Sequence, residues 1–279
     1  METLPRPQPP VILPAFAPVP QLDTVAYDRL AHEVHRLLGI DLSRYKPAQV
    51  WRRVNGFAAA RGLPDTDELV ARVREDAVLR QALMDMLTIH VSEFFRNPEV
   101  WGALADQVLR PMLRDQGSVR IWSAGCSLGF EPFSIAMIIR KLAPFAPAYI
   151  LATDLDETSL SSAREATYTE AQMAGVPPAQ RARFFRHTDG NWEIRPELRA
   201  LVTFRRQDLL TDPSEGSFDI IVCRNVIIYF TEQAKTDLYR RFHDSLRPGG
   251  ILFLGATESI PNARAVGLVP VGSTFYKRP

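Results

Sequence analysis

The chain has 279 residues, with 33 lysines and arginines against 32 aspartates and glutamates, 46% hydrophobic and 23% charged. This composition excludes a disordered, collagen-like or disulfide-scaffold chain and is ample for one large or two modest cores. A formal charge of +1 supplies no whole-molecule pull toward nucleic acid or membrane, so an electrostatic partner must be read by a local patch.

Residues 1–22 hold seven of the 22 prolines and are expected to form an extended leader, because proline lacks an amide donor and fixes φ. Residues 23–95 form an expected N-terminal helical domain. Asp23 or Thr24 caps a helix carrying Leu30, Val34, Leu37 and Leu38 and stopped by Gly39. Pro47 opens a second helix through Val50, Val54 and Phe57. Glu68–Arg74 and Ala77–Leu87 follow, and a connector with Phe94, Phe95 and Arg96 closes the domain.

From residue 96 to 279 the pattern is that of an α/β domain. Asn97-Pro98 opens a long helix to Leu113. Apolar strands are predicted at Val119–Ser123, Tyr149–Thr153, Val202–Arg205, Phe218–Cys223 and Ile251–Gly255, alternating with helices such as Phe133–Leu142 and Thr231–Leu246. Buried apolar strands separated by helices imply a mostly parallel sheet with right-handed crossovers. Val269–Lys277 can return as an antiparallel edge around Gly272. Residues 168–200 break the alternation and read as an inserted subdomain, a short helix with a compact turn at Asp189-Gly190.

Several strands end in residues suited to a ligand. Ser123-Ala124-Gly125-Cys126-Ser127-Leu128-Gly129 is a small-residue turn between a strand and a helix N-terminus, where backbone can approach a ligand and offer amides. A plain tight turn is the competing account of this segment. It is neither the dinucleotide GxGxxG nor a P-loop. Asp154 ends the next strand, where an acidic side chain can accept from ribose hydroxyls; Asp156 competes for that role unless it caps the following helix. Asp208 and Cys223-Arg224-Asn225-Val226 follow two further strands. Four such stations at the same strand ends point to one crevice. Cys126 and Cys223 are too few and too far apart for a zinc ribbon or disulfide framework, and no metal site is expected. No apolar run approaches the ~18 residues of a membrane span, and Met1-Glu2-Thr3-Leu4-Pro5 does not begin a signal peptide. A cytoplasmic monomer without nucleic-acid partner or membrane insertion is expected.

Six motifs in register, from Asp23 to Lys277, resemble the chemotaxis receptor methyltransferases (CheR). They are Ser92-Glu93-Phe94-Phe95-Arg96, Ile121-Trp122-Ser123-Ala124-Gly125-Cys126-Ser127, Glu131-Pro132-Phe133-Ser134-Ile135-Ala136, Ala152-Thr153-Asp154-Leu155-Asp156, Cys223-Arg224-Asn225-Val226-Ile227-Ile228-Tyr229-Phe230 and Leu246-Arg247-Pro248-Gly249-Gly250. The resemblance implies an N-terminal helical domain, a Rossmann-like S-adenosylmethionine methyltransferase domain and a small inserted antiparallel β-subdomain. It implies methyl transfer from S-adenosylmethionine to glutamates of methyl-accepting receptors, leaving S-adenosylhomocysteine. Ser92 and Arg96 would reach the cofactor's methionine end, where arginine can fork a carboxylate. His90 stands nearby where the family has Asn. Glu131 would pair with the ammonium, Asp154 with ribose, Asp208 and Leu209 with adenine, Asn225 and Val226 would line the sulfonium, and Gly125 is a further cofactor-binding candidate. Arg96 and Tyr229 are the catalytic candidates, as positioners of the reacting groups. The pattern also departs at Leu128 and at Phe130, where an acidic residue is usual, leaving open which of residues 130 and 131 meets the ligand.

A glutamate of reference pKa ~4.3 is already a nucleophile near neutrality, so this chemistry needs neither general base nor metal. Arg44, Lys46, Arg52, Arg53 and Arg61 lie between residues 43 and 61 with no acidic residue, a solvated face or a docking face for a glutamate-rich receptor helix bundle. The β-subdomain's turn is short for gripping a tether peptide. Competing readings are a regulatory module that binds S-adenosylmethionine without turnover and a methyltransferase of another substrate.

Overall fold

A computed structural model describes residues 21–88, 92–214 and 216–279. The leader, apart from its last two residues, and His90 lie outside these. The chain divides into two units between Leu87 and Thr88.

In the first unit, α1 (Thr24–Leu38) begins at Asp23, whose carboxylate accepts the Ala26 N–H at 3.0 Å, and ends at Gly39 in the left-handed region. Such a C-cap favours glycine because no Cβ opposes the positive φ. α2 (Pro47–Ala59) has proline in its first turn, where no amide is missed. α3 (Thr66–Glu75) is capped by Asp65, and α4 (Ala77–Thr88) follows. Leu30, Val34, Ile40, Leu42, Val54 and Leu69 are buried at its centre, as helical spacing of apolar residues demands.

The second unit opens with one continuous helical rod: α5 (Pro98–Ala103), a π-helical stretch Leu104–Leu109, and α6 (Arg110–Gln116). Pro111 has no amide for the carbonyl four residues back, and the helix widens just before it. Its sheet is built from β1 (Val119–Ala124), β2 (Ala148–Asp154), β6 (Val202–Arg206), β7 (Phe218–Cys223), β8 (Leu246–Leu254), β9 (Val269–Pro270) and β10 (Phe275–Lys277), in the order β6-β2-β1-β7-β8-β10-β9. The first five run parallel and β10 returns antiparallel against β8. Every residue of β7 is buried, as expected of a strand covered on both faces. The chain winds outward from β1 through β2 to β6, then restarts beside β1 at β7. That reversal opens a crevice at the carboxyl ends of β1 and β7, where ligands bind doubly wound sheets. Helices α7 (Phe130–Leu142), α8 (Glu157–Glu165) and α11 (Glu232–Ser245) occupy crossovers, and the short α9 (Pro178–Phe184) and α10 (Pro196–Arg199) lie between β2 and β6.

Between β2 and β6 lies the small sheet, β3 (Thr167–Thr169), β4 (Phe185–Thr188) and β5 (Asn191–Ile194), all antiparallel in the order β3-β5-β4. Asp189 and Gly190, both at positive φ, close the β4–β5 hairpin, a turn whose twist suits the flanking strands. Strands of three or four residues carry too little alternation for sequence to reveal, hence the expected short helix and turn. Phe94 is wedged here, edge-on to Phe130, Tyr168 and Phe185 at 4.8, 4.8 and 5.6 Å between ring centres. A Cβ on Gly175 would stand 2.2 Å from the Phe94 carbonyl oxygen. Phe94 and Phe95 therefore belong to the second unit's core, and the helical unit stops short of residue 95.

Replacing Phe94 by alanine empties the centre of this aromatic cluster and is expected to cost about 3–5 kcal/mol. Denaturant unfolding checks this, and a loss below ~1 kcal/mol would contradict the packing described.

Candidate active site

The crevice is floored by the turns that leave β1, β2, β6 and β7, neighbours in the sheet. Gly125, at φ +84°, donates its N–H to Thr153 O at 2.8 Å, and a Cβ there would stand 2.5 Å from Val226 Cγ2. Glycine is what lets the β1 and β7 turns touch. Ser127 donates its N–H to Asp154 Oδ2 at 2.7 Å, Asp156 donates its own to Oδ1 at 3.1 Å, and Gln207 N–H meets the Asp154 carbonyl at 2.9 Å. Asp154 thus joins three of the turns, and its oxygens retain lone pairs for a ligand hydroxyl. Asp156 spends both carboxylate oxygens on the Thr158 and Ser159 amides, capping α8.

Asp208 shapes its own turn. Its Oδ1 accepts the Leu210 N–H and its N–H donates to Asp212 Oδ2, each at 2.8 Å. Arg241 of α11 ties that turn down, donating to Leu209 O at 2.7 Å and Asp212 O at 2.5 Å.

A charged cluster stands beside the β1 turn. Glu131, in the first turn of α7, accepts the Ser123 hydroxyl at 2.8 Å on Oε1, and its Oε2 lies 3.9 Å from Arg224 Nη1. Only 15% of its side chain is exposed. Burial pushes the carboxyl up to about 7, with Glu258 adding to the rise, while Arg224, Ser123 and Arg96 oppose it. Arg224 is itself buried. It donates to Arg96 O at 2.8 Å and Asn97 Oδ1 at 3.4 Å, and lies 4.9 and 5.2 Å from the ring centres of Trp101 and Phe253. Burial lowers its pKa from the usual arginine value.

Ser92 Oγ is buried with no hydrogen-bond partner among the described residues, and Arg96 is half-buried. Phe95, Asn97, Ser127 and Asn225 all stand at positive φ, a concentration of uncommon backbone typical of sites held for function. Asn225 donates its N–H to Glu258 Oε2 at 2.8 Å, and Tyr229 lies half-buried in the 3-10 turn Ile227–Tyr229 that follows.

Phe130 is 2% exposed and packs into the aromatic cluster, so within this pair only Glu131 is directed at the crevice. Leu128 packs against the same core, and its carbonyl accepts the Tyr168 hydroxyl at 3.0 Å. Sequence reasoning named Ser123 only as part of the β1 turn and passed over Arg241 and Glu258. Glu258, four residues beyond the end of β8 at Leu254, repeats the strand-end pattern of the four candidate stations and was the more readable of the two.

The five basic residues between residues 43 and 61 of the first unit differ in surroundings: Arg61 lies 3.6 Å from the ring centre of Phe57 and donates to its carbonyl. Arg44 pairs with Asp41 at 3.3 Å. Arg53 donates to the carbonyls of Met86 and Leu87 and so caps the end of α4. Lys46 is half-buried and Arg52 exposed.

Residues 90–272 match the family model for the CheR methyltransferase SAM-binding domain, and residues 26–88 match that for the CheR methyltransferase all-alpha domain. With the doubly wound sheet, this defines an S-adenosylmethionine-dependent methyltransferase. The chain is 41% identical over 244 residues to a chemotaxis protein methyltransferase of Listeria monocytogenes, covering 87% of this chain and 93% of the relative. It is 35% identical over 241 residues to chemotaxis protein methyltransferase 1 of Pseudomonas aeruginosa, covering 82% and 88%. To a chemotaxis protein methyltransferase of Salmonella typhimurium it is 32% identical over 251 residues, covering 86% of each. The chain belongs to the CheR methyltransferase family. Its activity is S-adenosylmethionine-dependent methylation in chemotaxis. Among the described residues no helix is long and apolar enough to cross a membrane.

The residues fit the cofactor: the Gly125 turn is a cradle a side chain would fill, Ser92 Oγ wants a partner, and Glu131 offers a carboxylate at the crevice. Gly125→Ala strains φ and collides with Val226, so cofactor affinity should fall at least about tenfold, more than one RT ln 10 of ~1.4 kcal/mol. Calorimetry measures it, and Val226→Ala in the same chain should restore part of the loss.

Proposed function

We propose that the protein esterifies glutamate side chains on the cytoplasmic domain of methyl-accepting chemotaxis receptors. The reading is carried by the Ser123–Glu131–Arg224 cluster beside the Gly125 turn, in a chain whose relatives are named chemotaxis protein methyltransferases.

Ser92 and Arg96 hold the cofactor's carboxylate and Glu131 its ammonium. Asp154 takes the ribose, Asp208 and Leu209 the adenine, and Gly125, Asn225 and Val226 surround the sulfonium. S-adenosylmethionine supplies an electrophilic methyl on sulfur. A receptor carboxylate, ionised near neutrality, forms the new O–C bond as the S–C bond breaks, and no proton moves. Arg96 and Tyr229 therefore act by orientation. Tyr229 aligns the incoming carboxylate, and the closely packed β1 and β7 turns keep water from competing for the methyl. The reaction consumes a cation and an anion and yields neutral ester and thioether, so a water-poor crevice favours its transition state. Incubation of the protein with methyl-labelled cofactor and receptor cytoplasmic fragments should leave base-labile label on the fragments. Cofactor binding without transfer would contradict the proposal.

Glu131 supplies a pH signature. With its carboxyl at about 7 in the ligand-free protein, acid neutralises it, whereas an ammonium partner favours the ionised form. Affinity for S-adenosylmethionine should thus weaken as pH falls below about 7, approaching tenfold per unit. Glu131→Gln should bind more weakly and without that slope. A calorimetric series from pH 5.5 to 8 checks this, and parallel curves would remove Glu131 from the ammonium site.

For receptor docking, Lys46 and Arg52 are the proposed contacts, together with Arg44; Arg53 contributes chiefly by fixing α4. Joint Lys46→Glu and Arg52→Glu should slow receptor methylation about tenfold at low salt, and less at high salt, leaving cofactor affinity unchanged. Equal loss of both activities would refute a docking role.

A further inference from the structure

We propose that Glu258 is a positioning residue for methyl transfer, setting the turn that carries Asn225 and Val226; the inference rests on the placement of those two residues at the sulfonium proposed above. Glu258 follows β8 in Gly255-Ala256-Thr257-Glu258, and its N–H returns to Gly255 O at 3.0 Å. Its side chain then runs beneath the neighbouring strand's turn. It is 5% exposed, and one oxygen, Oε2, receives the N–H groups of both Asn225 and Gly255 at 2.8 Å. The amides of Val226 and Ile227 also favour its ionised form, against a burial that raises its pKa.

One carboxylate oxygen thus holds the amide at the head of the segment that enters the 3-10 turn Ile227–Tyr229, while Oε1 is buried with no hydrogen-bond partner among the described residues. This is the work of a helix N-cap, here done by a residue from another strand. The approach demands glycine at 255, since a Cβ there would stand 2.6 Å from Oε2 and 3.1 Å from Asn225 N. On the far side of the same turn, Val226 abuts Gly125. The turn is therefore gripped from both sides, by Glu258 below β7 and by the Gly125 loop of β1. Asn225 sits at φ +61°, a conformation an asparagine leaves readily unless its amide is held. Tyr229, which closes the turn, inherits its position from the same anchor.

A neutral amide at 258 keeps the size but replaces a charge-assisted acceptor with a weaker one. Glu258→Gln should lower kcat about tenfold. It should also change the ratio of affinities for S-adenosylmethionine and S-adenosylhomocysteine at least about threefold, because the two ligands differ only at the sulfur that Asn225 and Val226 flank. In an Asn225→Ala background the same substitution should cost less in kcat than in the wild-type chain, since one of the groups it positions is gone. If Glu258 merely supports the fold, both affinities fall by one factor and the kcat cost is the same in both backgrounds; either result overturns the inference. Wild-type protein that transfers no label to receptor fragments refutes the receptor reading instead, and the affinity ratio still decides the role of Glu258. Should the Gln variant not fold, Glu258→Asp, which keeps the charge one methylene short, carries the same comparisons.

Discussion

The site depends on one buried guanidinium. Arg224 is lifted out of water at the end of β7, a costly placement that is tolerable only where partners replace the lost hydration. It finds them in four parts of the chain: the Arg96 carbonyl and Asn97 side chain, Glu131 of α7, Trp101 of α5, and Phe253 of β8. Because each partner lies on a different element, satisfying this cation brings the segment around Arg96 against the strand ends. Removing a partner would leave this buried charge with less to offset its lost hydration.

The same balance explains how adjacent residues on α7 come to do unlike things. Successive residues on a helix point about 100° apart. Phe130 is turned toward Phe94 and Tyr168, and Glu131 toward Ser123 and Arg224. An acid at 130 would have to be buried among rings. One at 131 is buried too, yet it has a hydroxyl and a guanidinium to meet it, which is why its proton is held only moderately.

Much of this was legible in the sequence because the signals were local. Gly39, Pro47 and Asp23 mark helix ends by their own chemistry, and the parallel strands stand out as apolar runs. Gly125, Asp154, Asp208 and Asn225 could be singled out as candidates because each ends such a run or follows it within two residues. What escaped was non-local. The small sheet's strands are too short for alternation to register. Glu258 reaches the Asn225 turn across a strand boundary, Arg241 reaches the Asp208 turn from a distant helix, and Arg53 spends its charge on carbonyls more than thirty residues away. An arginine in a basic run looks like its neighbours until its hydrogen-bond partners are known. Asp156 was ambiguous for a related reason: a carboxylate at a strand end and one at a helix start occupy the same two or three positions of sequence.

Gly175 constrains how the molecule can diverge. The small sheet's outward faces are open to substitution, but position 175 closes on the main chain of Phe94, and a peptide carbonyl cannot be traded for a smaller one. Descendants of this sequence can redecorate the appendage or alter its hairpin, yet the joint that seats it admits hydrogen alone. Kinship in this lineage should persist at that joint after the surrounding surface has lost all trace of common ancestry.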